Sequence, residues 1–311
     1  MAENNHKTSI GGQALIEGIM MRGPKKQSVV VRTKDGLETK VEDLKLLKDR
    51  HPIIGWPLVR GVVNFGGSMV NGVRALMFSA NFMPEEEAEP ESKFDKWVEE
   101  KLGAEKAEGV LVMIAVVIGI AMSVGLFMLL PTFLAGFMTR FVDSAILRNL
   151  LEGVVRIAIF ISYIGLTSKL KEMRRVWQYH GAEHKTIFCY ERGLELTVEN
   201  VREMPRRHPR CGTSFMFIVM IVSILVFSFA TWSNVWVRMG LRIALLPVVV
   251  AISYEIIKLA GRYDNALTRI ISAPGRAMQS LTTREPDDDM IEVAIEALKL
   301  VMPEVEGEDA W

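Results

Sequence analysis

From Gly109 to Thr139 the chain carries no charged side chain. A helix needs about 20 apolar residues to cross the hydrocarbon of a bilayer, so this run sets the chain apart from ordinary soluble folds. A second uncharged run covers Gly212 to Val237. Yet the 311 residues also hold 37 Lys and Arg against 37 Asp and Glu. Charged and apolar sequence must then be segregated along the chain, as in a multispanning membrane protein. The balanced total gives no support to a general nucleic-acid binder, and no nucleic-acid partner is expected. Apolar residues make up 50% of the chain, which excludes disorder over most of its length. Cys189 and Cys211 are the two cysteines, too few for a disulfide framework. The polar stretch Met1 to Ser9 does not read as a cleavable signal peptide.

Two further spans are expected at 147–168 and 239–260. The first contains Glu152 and Arg156, four apart, and the second Glu255 and Lys258, three apart, so each pair can meet on one helix face. Their closeness to the helix ends favours ion pairs at the membrane interface. Pro131 predicts a kink or the exit of the first span. Four spans put both termini on one side. The segment 169–212 holds ten Lys and Arg, including Lys169, Arg175, Lys185 and Arg210, whereas the opposite turns hold little beyond Arg140 and Arg238. The positive-inside rule therefore places 169–212 and both termini in the cytoplasm, in a multi-pass protein of the plasma membrane.

The reading is thus a predominantly α, polytopic membrane protein with four transmembrane helices, cytosolic helices and a small β-hairpin. Its parts are an N-terminal region (1–83), an acidic linker (84–108), a transmembrane hairpin (109–168), a His- and Cys-containing segment (169–212), a second transmembrane hairpin (213–260) and a C-terminal region (261–311). Residues 28–41 read as a β-hairpin turning at Asp35-Gly36. Residues 56–80 read as an amphipathic helix whose polar stripe is Arg60, Asn64, Gly67, Asn71 and Arg74. Such a helix lies in the headgroup plane or packs on the bundle. Asp287 to Asp289 complement the dipole of a helix running to about Val301.

Chemistry concentrates in 169–212. His180, Glu183 and His184 follow the order H-x-x-E-H. Two His four apart on a helix project from one face and can share a metal ion, zinc or another divalent transition metal. Glu183 between them suits proton transfer. His208 and Cys211 lie in the same segment, and Cys211 precedes the third span, where a helix N-terminus favours thiolate. His180, His184, His208 and Cys211 together make a four-ligand set: closed and structural if all bind, catalytic if one position stays open. Glu255 and Asp264 are further ligand candidates. Cys189 reads as a buried packing residue. The segment Gly11 to Pro24 is glycine-rich and matches neither the dinucleotide fingerprint nor the P-loop. It reads either as a packed loop or as a second polar cluster, with Glu17 and Arg22 as its chemically capable residues. Gly261 to Asn265 would cap the site or bind headgroups.

Four stretches, Gly11 to Pro24, Tyr179 to Ile187, His208 to Phe215 and Leu281 to Asp288, resemble the bacterial YqhQ family over nearly the whole chain. The one departure is Gly275 to Met278, more polar than the aromatic-rich stretch of the family. The family is a membrane family of unknown function, often labelled a predicted metal-dependent enzyme on the same His and Glu residues, so the resemblance brings no substrate with it.

Three functions compete. One is a metal-dependent hydrolase at the cytosolic face, with His180 and His184 as ligands, His208 or Cys211 completing the set, Glu183 as general base and Glu17 assisting. The second is a non-enzymatic scaffold or accessory subunit that docks on a membrane-protein partner or forms a homo-oligomer within the lipid bilayer. The third, a transporter or channel, ranks last, because the two hairpins show no repeat and no span has a polar face along its length.

Overall fold

The computed structural model describes residues 6–44, 51–82, 92–138, 142, 144–229, 235–263, 265–305 and 307–310. Among the described residues, the uncharged apolar sequence is helical along most of its length. Helix α3 (Ala104–Val124) passes through a π-turn at Gly125–Leu129 into α4 (Leu130–Met138). Pro131 has no N–H and its ring crowds the carbonyl four residues back, and the wider π-turn just before it absorbs that conflict. The expected kink is therefore a bulge inside a helix that continues. Helix α5 (Ala145–Thr167) and α9 (Val235–Arg262) follow the same logic. Among the described residues, three stretches are long and apolar enough to cross a membrane: Gly109–Phe137, Ile146–Thr167 and Trp236–Arg262. The fourth expected span is α8 (Gly212–Ser228), equally apolar but shorter among the described residues.

The charges in these helices do not sit where their positions suggested. Glu152 and Arg156 are buried rather than interfacial. They pair with each other at 3.2 Å, and Arg242 of α9 clamps the same carboxylate. Burial within the helix packing won because a second helix supplied the countercharge. Glu255 pairs with Arg60 of α1 (Val59–Ala80), a partner from a distant part of the sequence. Asn64, next on the same stripe, bonds the Tyr254 hydroxyl at 2.8 Å. The polar stripe of α1 thus turns onto α9 at these positions, while Phe65, Met69 and Val70 are exposed. A short helix, α2 (Lys93–Leu102), precedes α3 and starts on a capping box formed by Ser92 and Asp95. The proposed acidic linker falls partly on residues 83–91, which lie outside the described residues, as does Asp264.

The N-terminal region holds more β-structure than one hairpin. Strands β1 (Gly11–Leu15), β2 (Gly18–Arg22), β3 (Lys26–Thr33) and β4 (Gly36–Asp43) form an antiparallel meander in sequence order. The β3–β4 pair is the expected hairpin, but Thr33 faces Gly36, so the turn residues are Lys34 and Asp35. Gly36 opens β4 with φ +139°, a conformation only glycine adopts readily. The glycine-rich segment is not a loop: it is the β1–β2 hairpin, turning at Ile16 and Glu17.

One face of the sheet buries Ile19, Met21 and Val30 against α6 (Lys171–Glu191) and α11 (Asp288–Lys299). The other buries Leu15, Met20, Val29 and Val31 against Ala75 and Phe78 of α1. Helix α1 therefore joins the sheet to the apolar bundle. Helix α7 (Val198–Arg202) leads into the loop before α8, and α10 (Ala266–Thr282) follows α9. Asn265 caps α10 reciprocally with Thr268, so the Gly261 to Asn265 cluster ends as a helix start.

Candidate metal centre

Helix α6 begins at Lys171 after a break at Ser168 to Leu170, so it is not a straight continuation of α5. Its central residues Tyr179 to Ile187 are all buried. Helical spacing stacks His180 and His184 on one face, with ring centroids 4.4 Å apart. The loop between α7 and α8 returns across this face and delivers Cys211, the N-cap of α8. His180, His184 and Cys211 each offer a ligand atom, and these atoms all lie within 4.8 Å of one another.

The hydrogen bonds behind the rings fix which nitrogens are offered. His180 Nδ1 bonds the Thr282 carbonyl at 2.7 Å, and His184 Nδ1 bonds the Arg206 carbonyl at 2.6 Å. A carbonyl can only accept, so each Nδ1 carries the proton and each Nε2 turns to the cluster. His180 Nε2 meets Cys211 Sγ at 3.1 Å. His184 Nε2 is buried with no hydrogen-bond partner among the described residues. Backbone carbonyls behind two converging imidazoles are the usual support of His metal ligands. A tetrahedral ion with bonds of about 2.0–2.3 Å would hold its ligands roughly 3.3–3.7 Å apart, within small movements of these side chains.

Electrostatics agree with this set. Burial pushes the Cys211 thiol up, but the His180 and His184 rings beside it hold it well below its ordinary value. Burial pulls His180 down, yet the Cys211 sulfur, Glu183 and the Thr282 carbonyl outweigh that and raise it to about 9. A lowered thiol beside two imidazoles is the donor chemistry a divalent cation would take up, in place of protons. Glu183 is buried, and burial raises its carboxyl despite the neighbouring His184 and His180. Its Oε1 accepts from the Gly12 N–H at 3.0 Å. A Cβ at position 12 would lie 3.0 Å from the Glu183 Cδ and 2.7 Å from the Met20 carbonyl, so the strand approaches this closely only as glycine.

The other expected site residues are placed elsewhere. His208 stacks on Phe188, and its Nε2 lies 3.6 Å from a Glu191 oxygen and 3.4 Å from Arg210. Burial, aided by Arg210 and His184, lowers it to about 4 against the opposing pull of Glu191. His208 thus braces His184, ring to ring at 5.7 Å, and is not in the ligand cluster. Glu17 is held by Arg175 and accepts from the Tyr179 hydroxyl at 3.2 Å. Glu255 is taken by Arg60. Cys189 is fully buried among packing residues.

Three contributors escape the sequence reading. The Thr282 and Arg206 carbonyls are backbone groups, which any residue supplies. Gln279 is fully buried on α10 and clamps the loop, accepting from the His208 N–H and donating to the His208 carbonyl, both at 2.8 Å. A single Gln on an amphipathic helix is the sort of signal that could have marked it.

Residues 56–304 match the family described as "Protein of unknown function (DUF1385)". The chain is 32% identical over 302 residues to the uncharacterized protein YqhQ of Bacillus subtilis (strain 168), covering 96% of this chain and 93% of that protein. No solved structure matches.

Proposed function

The chain belongs to the DUF1385 family of uncharacterised bacterial proteins, as the family match and its similarity to YqhQ show, and we propose that it is a membrane-embedded, metal-dependent hydrolase. The long apolar helices anchor it as a multi-pass protein, with α8 as a fourth span and the sheet, α6 and both termini on the cytosolic side. The basic segment 169–212 supports that orientation. His180, His184 and Cys211 hold one divalent transition metal, zinc by ligand type. The observation that carries the reading is the buried Nε2 of His184, which faces the cluster with no partner among the described residues while its Nδ1 is tied down.

With His180, His184 and Cys211 as the protein ligands, a four-coordinate ion would keep one position for a non-protein ligand. When bound, such an ion supplies Lewis acidity and eases ionisation of a water. Glu183 stands beside the ligands as the proton acceptor. Burial raises its carboxyl above the ordinary range despite the neighbouring His184 and His180, the direction a general base needs. The Gly12 N–H fixes one of its oxygens and leaves the other for the proton. Glu17 orients Tyr179 and Arg175 on the same helix rather than acting in the site. The substrate class that location supports is a peptide or lipid-linked group at the cytosolic membrane face.

The near-complete burial of His180, Glu183 and His184 favours one second reading, a structural ion in a scaffold subunit that docks other membrane proteins. Cobalt separates the two. The proposal expects a Co(II)-loaded protein whose visible spectrum changes on adding azide or a hydroxamate, and whose pH-dependent spectral transition moves in Glu183→Gln. A spectrum indifferent to added ligands would make the site closed and remove the hydrolase.

A further inference from the structure

Away from the metal cluster, the other end of the helix bundle holds a charge arrangement that the hydrolase reading does not use. Glu152 is buried on α5, one turn from Arg148 and one turn from Arg156, so the three share a face. From α9, Arg238 and Arg242 bring a second pair one turn apart. Arg242 and Arg156 both bond the Glu152 carboxylate, and Arg156 also donates to the Ser223 hydroxyl at 2.9 Å. The charges of Arg242, Glu152 and Arg148 all act on Arg238. Two guanidinium groups thus hold one carboxylate, and among the described residues two more, on Arg148 and Arg238, stand one turn away along the same helices. In the sequence between α4 and α5, Arg140 and Asp143 contribute one charge of each sign.

That excess is costly where it sits. Arg156 and Arg242 are more than nine-tenths buried, their guanidiniums 5.4 and 5.5 Å from the Phe227 ring centroid, and the Nε–H groups of Arg156, Arg238 and Arg242 are buried with no hydrogen-bond partner among the described residues. Excess charge inside an apolar bundle is unfavourable unless something answers it. The cluster grades from fully buried Arg242 to partly exposed Arg238 and Arg148, so it opens toward the ends of α5 and α9. Exposed Trp236 of α9 and exposed Phe137 of α4 lie at that end, at the level where aromatic rings meet headgroups. Exposed Leu147 and Leu150 of α5 flank it on the lipid side.

We propose that Arg148 and Arg238, backed by Arg156 and Arg242, bind a phosphate group carried by a phospholipid in the adjoining leaflet. Arginine forks match phosphate oxygens two at a time, and a phosphate at this depth neutralises the surplus charge. The inference rests on the membrane-spanning reading above and not on the metal. Release of the protein from membranes by alkaline carbonate would remove the spanning reading and the lipid site together. Retention in carbonate without phosphate-dependent binding would remove the lipid site alone.

The test compares the detergent-purified wild type with Arg148→Ala/Arg238→Ala, checked by gel filtration for the same monodisperse peak, and with Arg148→Lys/Arg238→Lys as a gentler pair. Phosphatidylglycerol, phosphate-free diacylglycerol and inorganic phosphate are added separately and read by native mass spectrometry and thermal melting. The expected result is a phosphatidylglycerol adduct and a raised melting temperature in the wild type, weakened about tenfold in the Ala pair and less in the Lys pair, with no effect of diacylglycerol. Stabilisation by inorganic phosphate, lost in the same variant, would support the phosphate site and assign it a soluble ligand. No phosphate-dependent binding, or binding equal in wild type and Ala pair, would overturn the proposal.

Discussion

Gly181 lies on α6 directly after His180, and the chain segment following α10 crosses it. A methyl group there would stand 2.0 Å from the Arg284 carbonyl oxygen, where ordinary contact begins at 3.4 Å. In Gly181→Ala either the segment or the helix must move by about 1.4 Å. The same segment carries the Thr282 carbonyl that accepts from His180 Nδ1 at 2.7 Å, and it is tied to α6 by the Arg284 N–H on the Trp177 carbonyl at 2.8 Å. A movement of that size stretches both bonds toward roughly 4 Å, beyond hydrogen-bonding range. Helix propensity acts in the other direction, favouring Ala over Gly by about 1 kcal/mol. Overpacking costs about 1–3 kcal/mol and each lost bond about 1 kcal/mol, so the net expectation is a loss of about 2–4 kcal/mol. Loosening the group behind a His ligand also weakens metal affinity by about 10–100-fold. Gly67→Ala on α1, with nothing within 4 Å, is the control and gains stability. Thermal melting in detergent and metal retained after dialysis against graded chelator read both effects. A Gly181→Ala protein that melts no lower than wild type and holds its metal as tightly would refute the reasoning.

Other substitutions separate the roles of neighbouring residues. His208→Ala keeps the metal with a lower melting temperature, whereas Cys211→Ser loses most of it, as elemental analysis of the two variants shows. Glu183→Gln retains stoichiometric metal, since an amide oxygen still accepts from the Gly12 N–H, but loses hydrolytic turnover at least a hundredfold. Glu191→Gln removes the carboxylate that faces buried Arg210 and accepts from the Thr8 N–H, costing about 3 kcal/mol in melts. Asp309 tests pH dependence. Burial opposes its ionisation, but bonds from Thr8, His6 and Tyr190 hold its carboxyl below the ordinary value. A depressed carboxylate adds stability that is complete above the unfolded value of about 4 and is lost as pH falls through the folded one. Asp309→Asn should therefore lower the melting temperature at neutral pH and flatten its decline below about pH 4.

Much of the architecture was legible because charge and apolarity separate so sharply along the chain. The uncharged runs became α3–α4 and α8, and the acidic start Asp287 to Asp289 became the N-terminus of α11. The β1–β2 hairpin was not legible, for a physical reason. Gly18, Ile19, Met20 and Met21 are all buried, because α6 and α11 cover one face and α1 the other, so no alternation of polar and apolar residues marks the strand. Its glycines allow close packing rather than looping: a Cβ on Gly18 would lie 2.5 Å from the Val30 carbonyl.

In the site, spacing alone placed His180 and His184 together, and the N-cap position of Cys211 followed from its place before an apolar run. His208 misled because its distance in sequence from Cys211 says nothing about where its ring turns. Gln279 grips its backbone from a helix 71 residues away, and Arg210 and Glu191 draw its Nε2 aside. Glu152 and Glu255 misled in the same way, since their main partners, Arg242 and Arg60, come from other helices.

The central claim is that His180, His184 and Cys211 hold one metal ion. The most direct measurement is elemental analysis of the detergent-purified protein beside His180→Ala/His184→Ala. The account predicts close to one zinc or other divalent transition metal per wild-type chain and close to none in the variant. Metal absent from both proteins, or retained equally by both, would contradict it.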